Sequence, residues 1–141
     1  MKKTIISIAT LLLSLLLAIS LVACANGERT GLWENATYLD DQTLGSGAKT
    51  LTVEVTAEEK TVTFTVKTDK ETVGEALLDA GLIEGEMSTY GIYIKKVNGI
   101  TADFDVDQTY WAFYINGEPS MNGADQTPIV EGAIYRLAHA K

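Results

Sequence analysis

His139 is the only histidine in this 141-residue chain and Cys24 the only cysteine, so acid–base and metal chemistry have few residues to work with. A general base or a metal ligand needs partners that fix it in place. None is visible around His139, which reads as a solvated residue of a terminal strand. Asp103-Phe104-Asp105-Val106-Asp107 begins like a calcium loop. Such a loop wants Gly at its sixth position and Glu at its twelfth, where this chain has Gln108 and Tyr114. The apolar residues between the acids read instead as a strand edge with solvated carboxylates. Asn35-Ala36-Thr37 fits a glycosylation sequon. No phosphate loop, metal cluster or nucleophile–base pair stands out. The expectation is therefore a protein that binds and does not catalyse, with no metal site and no required cofactor.

What remains for chemistry is aromatic. In "YWAFYINGEP", alternation places Trp111, Phe113 and Ile115 on one face of a strand and Tyr110, Ala112 and Tyr114 on the other. One face must meet the core, and the reading assigns it Trp111, Phe113 and Ile115, with Ile92 and Ile94 from the preceding strand. Tyr110 and Tyr114 then lie on the open face beside Tyr93 and Lys95, with Arg136 near them. A tyrosine-rich face with two cations on an acidic body suits a flat organic ligand or a partner. Ordinary cross-strand tyrosine packing, partly covered by a segment around Trp33, gives the same pattern. The inverted assignment would expose Trp111.

The elements that hold these residues follow from period. Leu51, Val53 and Val55 alternate with polar residues, as do Val62, Phe64 and Val66 beyond Glu58-Glu59-Lys60, which predicts a hairpin with one buried face. Thr72-Val73-Gly74-Glu75 has the capping-box pattern, and Val73, Ala76, Leu77 and Ala80 follow at helical spacing up to Gly81. Strands are predicted at 91–97 and 110–115, each ending in Asn-Gly, and at 133–138. The order β-β-α-β-β-β predicts an α+β chain of ubiquitin-like β-grasp type, a mixed sheet of about five strands with one helix on one face. A small β-sandwich is the alternative, and the capped and stopped helix argues against it.

Lys2 and Lys3 precede the apolar run Ile5 to Leu21, the pattern of an export signal. Leu21-Val22-Ala23-Cys24 resembles the bacterial lipobox, which implies a signal peptide at 1–23, lipidation of Cys24 and an extracytoplasmic, membrane-anchored lipoprotein. The competing readings are a plain secretory signal and an uncleaved anchor helix with an incidental thiol. Without Lys2 and Lys3 the net charge goes from −8 to −10, which excludes nucleic acid as a partner and leaves lipid as the membrane contact. Residues 24–49 end in Gly45-Ser46-Gly47 and read as a tether, partly docked through Trp33 and Tyr38. Residues 50–141 form the domain.

"TVGEALLDAGL", "YGIYIKKVNGI" and "YWAFYINGEPSMNGADQTPIVEGAIYRL" together resemble the DUF4430 family, the transcobalamin-like C-terminal domain. The resemblance covers about residues 50–141. Bacterial members commonly carry Gly-Asp before the last strand, where this chain has Gly132-Ala133. The resemblance implies a β-grasp fold and raises a corrinoid as ligand, although the helical partner domain of the animal transporters is absent here. It also implies that Trp111 and the 116–123 turn, with Asn116 and Gly117, lie on the ligand side. The resulting expectation is a surface-tethered module for a corrinoid or other planar ligand, handed to a membrane transporter. The alternative is a protein- or glycan-interaction module without a small ligand.

Overall fold

The computed structural model describes residues 28–141. The segment 1–23, expected from sequence to be a signal peptide, and Cys24, the expected lipidation site, lie outside the described residues. No helix among those described is long and apolar enough to cross a membrane.

The alternating segments form the expected hairpin. β2 (Lys49–Ala57) pairs antiparallel with β3 (Lys60–Thr68) in unbroken register. Leu51, Val53, Val55, Val62, Phe64 and Val66 turn inward and are buried. The threonines between them point outward. Helix α1 (Val73–Asp79) starts on a complete capping box, with the Thr72 side chain accepting from Glu75 N and the Glu75 carboxylate accepting from Thr72 N. It stops at Gly81, φ 71°, where Leu82 N reaches back to Leu77 O. This is the Schellman ending, in which a left-handed residue lets the chain satisfy carbonyls of the last turn.

The sheet is larger than the expected five strands. Its order is β1 (Gln42–Gly45), β3, β2, β9 (Ile134–Ala140), β7 (Tyr110–Ile115) and β8 (Glu118–Pro119). β1–β3 and β2–β9 are parallel and the other pairs antiparallel, so the sheet is mixed. Residues 42–45, read from sequence as tether, thus belong to the sheet. The second difference concerns 91–97. That segment, β5 (Gly91–Val97), does not join the main sheet but forms another with β4 (Ile83–Ser88) and β6 (Ile100–Thr101). A hairpin's period reports its local pairing but not the sheet it enters. The architecture is α+β: one main helix, a mixed six-stranded sheet and a three-stranded sheet.

The core lies between the inner face of the large sheet and a layer made of α1 and the small sheet. Ile94, Val97, Ile100 and Ala102 come from the small-sheet side, and Val73, Ala76 and Leu77 from the helix. Before β1, a 3-10 turn (Gly31–Asn35) buries Trp33, whose indole N–H donates to Ala57 O at 3.0 Å. The strap beyond it is clasped by Asn98: Thr37 N donates to Asn98 O, Tyr38 N to Asn98 Oδ1, and Asn98 Nδ2 to Tyr38 O. Asp103–Asp107 is not a strand edge. Asp103 caps a one-turn helix, Phe104–Asp107, that ends on left-handed Gln108.

Candidate functional site

β7 runs between β9 and the short β8, and its alternation sorts the aromatics as the sequence reading assigned them. Trp111 is buried, Phe113 and Ile115 are half-buried against the core, and Tyr110 is exposed. The Trp111 indole N–H donates to Ile100 O at 3.2 Å, tying the large sheet to the small one. Its ring meets His139 edge-on at 5.3 Å. His139 is half-buried, in contrast to the solvated residue read from sequence. Trp111, nominated by resemblance for the ligand side, is thus placed in the core with its donor occupied.

The open face carries a continuous row across four strands, because registers align Thr63 with Glu54, Glu54 with Arg136, and Arg136 with Tyr114. The Arg136 guanidinium lies over the Tyr114 ring, 4.8 Å from its centroid. Such stacking satisfies the flat faces of the guanidinium and leaves its N–H edge for an acceptor. At the end of the strand, Asn116 (φ 50°) and Gly117 (φ 83°) make the tight turn that their sequence announces. The Asn116 side chain accepts from Ile134 N at 2.9 Å, which fixes the turn against the start of β9. Glu54, Asn116, Gly117, Ile134 and Arg136 surround a shallow depression of about 380 Å³.

The structure therefore gathers Tyr114, Asn116, Gly117 and Arg136, and it adds Glu54. It does not bring the other nominated residues there. Tyr93 and Lys95 sit on the small sheet, with the Lys95 ammonium 5.8 Å from the Tyr93 centroid and 3.3 Å from a Glu86 carboxylate oxygen. The hydrogen bond and charge of Glu86 raise the Lys95 pKa above the ordinary lysine value. Tyr110 shares the open face but stands four residues, ~13 Å, along β7 from Tyr114.

A second feature is the segment Gly123-Ala124-Asp125-Gln126-Thr127-Pro128, of the pattern Gly-x-Asp-x-Thr-Pro. Asp125 Oδ1 accepts from Ile92 N at 2.9 Å, binding the 3-10 turn Ala124–Gln126 to the small sheet. Thr127 Oγ1 donates to Gly123 O, and Thr127 O accepts from Val73 N at the start of α1. Glycine is required opposite. A Cβ on Gly91 would lie 2.7 Å from Asp125 Oδ1, and one on Gly74 would lie 2.5 Å from Asp125 N. The segment is a structural staple joining helix, loop and small sheet. Among the described residues, no group of three or more His, Cys, Asp or Glu side chains converges as a metal site would require.

The described residues form an α+β domain of one main helix and two sheets, with a shallow depression on the open face of the larger sheet. Residues 70–133 match the family described as "Domain of unknown function (DUF4430)". The chain belongs to the DUF4430 family. A protein from Ruminococcus gnavus ATCC 29149, provisionally named as metal binding, is 34% identical in its 1.30 Å crystal structure, with a TM-score of 0.63 over 67% of this chain and 98% of that one. Haptocorrin crystallised in complex with Cbi aligns with a TM-score of 0.50 and 22% identity over 66% of this chain. That alignment covers 25% of haptocorrin and supports a transcobalamin-like fold. No curated protein matches the sequence.

Proposed function

We propose that this domain is a non-catalytic binding module, held outside the cytoplasm by a lipid on Cys24, that takes a small ligand at the Arg136–Tyr114 depression. The observation that carries the reading is an arginine preorganised on an aromatic ring and left without a carboxylate partner. Three ion pairs occur among the described residues, Lys49–Glu71, Lys95–Glu86 and Lys96–Glu84, and Arg136 takes part in none. A β-grasp assignment accompanies the proposal. The leading hairpin, the helix after it and the parallel pairing of the last strand with β2 support it.

The corrinoid version draws on haptocorrin's complex with Cbi and on fold likeness alone. Titrating the purified protein with cobinamide and cobalamin, followed by calorimetry, tests it. Heat that saturates in the parent and vanishes in Arg136→Gln is expected, and no heat at high micromolar ligand removes the corrinoid. Replacing Cys24 by Ser tests the anchor, since membrane retention should be lost. A second reading, an interaction module without a small ligand, draws support from Met87, Tyr90 and Met121, all at least 70% exposed. A stoichiometric protein recovered from membranes, with no ligand heat, would favour it.

A further inference from the structure

Glu54 and Arg136 are Cα partners on the parallel strands β2 and β9, and both line the open depression. Opposite charges on neighbouring strands ordinarily close on each other. These two do not: the three ion pairs among the described residues include neither. Arg136 turns over the Tyr114 ring instead, and its Nε is buried with no acceptor. Stacked in this way, a guanidinium keeps a planar edge suited to two-point recognition of a carboxylate. Glu54 opposes a purely anionic ligand at the same place, and Arg136 opposes a purely cationic one. Asn116 has its carbonyl oxygen committed to Ile134 N, so what its side chain has left to offer is the amide NH2, a donor. Exposed Ile134 supplies the one apolar wall of the depression.

We infer that the group recognised here is a zwitterion, in the form of a free α-amino acid with its carboxylate on Arg136 and its ammonium on Glu54. Fixed charges of both signs set ligand polarity and orientation at little reorganisation cost. The inference rests on the depression being the ligand site, as proposed above, and names the chemistry that site selects.

The test is calorimetry of the purified full-length protein with the common L-amino acids, each also supplied as its N-acetyl derivative and its carboxamide. At least one free amino acid should bind, and each modification should weaken it by tenfold or more. Arg136→Gln should abolish the preference over the carboxamide, and Glu54→Gln the preference over the N-acetyl form. Melting curves establish that both variants are folded. If Arg136→Gln melts early, the modified ligands on the parent protein decide alone. N-acetyl forms or carboxamides that bind as well as the free amino acid would overturn the inference. So would binding of cobinamide alone, lost in Arg136→Gln, although the depression would then stand as the ligand site. Absence of heat with amino acids, cobinamide and cobalamin alike would remove both the inference and the site.

Discussion

Replacing Asp125 tests whether the Gly-x-Asp-x-Thr-Pro segment is a staple. Asp125→Ala removes the acceptor of Ile92 N, a 2.9 Å bond in a half-buried setting. A hydrogen bond to a charged group is worth about 1.5–3 kcal/mol, and an orphaned donor costs a comparable amount, so a loss of about 2 kcal/mol is expected. For a domain of this length that corresponds to a fall in Tm of roughly 8 °C. Asp125→Asn keeps an oxygen in the same place and should cost less than half as much. Coupling sharpens the test. Gly91→Ala places a Cβ 2.7 Å from Asp125 Oδ1 at a φ of 106°, so it should destabilise the parent strongly. In the Asp125→Ala background the clash is gone and only backbone strain remains. The two effects should therefore fall short of their sum by about 1 kcal/mol in a urea-denaturation cycle. Strict additivity, or an Asn variant as unstable as the Ala variant, would refute the staple.

Three further outcomes are expected. Trp33→Phe leaves Ala57 O without its buried donor and should cost about 2 kcal/mol, read by urea denaturation; a loss below about 0.5 kcal/mol would mean the strap is not anchored there. Asn98→Ala removes two side-chain bonds to Tyr38 and places alanine at a φ of 51°, so a loss of about 3 kcal/mol is expected, with amide exchange accelerated across residues 37–45. Asp107 is held below its ordinary carboxylate pKa by hydrogen bonds from the Thr109 side chain and backbone N–H. A depressed pKa stabilises the fold above the ordinary carboxylate value, and that contribution is lost as pH falls through the lower folded value. Asp107→Asn should therefore lower Tm at pH 7 and converge on the parent below about pH 4; a gap that widens in acid would contradict this.

The parts of the fold legible in sequence are those whose signal is local. The β2–β3 hairpin declares itself by period two, α1 by its capping box and Gly81, and the turns at 98–99 and 116–117 by Asn-Gly. β4 carries no such signal. Ile-Glu-Gly-Glu-Met-Ser has one buried residue, and a register shift after Glu84 breaks any alternation. β1 gains its place from parallel pairing with β3, which nothing in residues 42–45 announces. Phe104 and Val106, two apart, imitate a strand, whereas the cap at Asp103 and the left-handed Gln108 decide for a helical turn. For the site, alternation was enough to put Tyr114 on the open face, but Tyr93 and Lys95 went to the other sheet. Glu54 was missed because its neighbour is set by the parallel β2–β9 register. The available signal was its charge at an outward position between Thr52 and Thr56.

The strap through residues 29–45 also determines how the domain bears force. Tension entering from the N-terminal side meets Arg29 on Ala36 O, then Trp33 on Ala57 O, then the bonds around Asn98, then β1 on β3. The Asn98 bonds act on adjacent residues, so they share a load that single contacts would release one by one. The Trp33 bond passes load directly into Ala57, the last residue of β2, the strand that also carries Glu54. β9, which holds Arg136, is reached through its pairing with β2 and β7. The strap thus distributes a pull between two anchor points, the end of β2 through Trp33 and the turn between β5 and β6 through Asn98, before β1 can peel from β3.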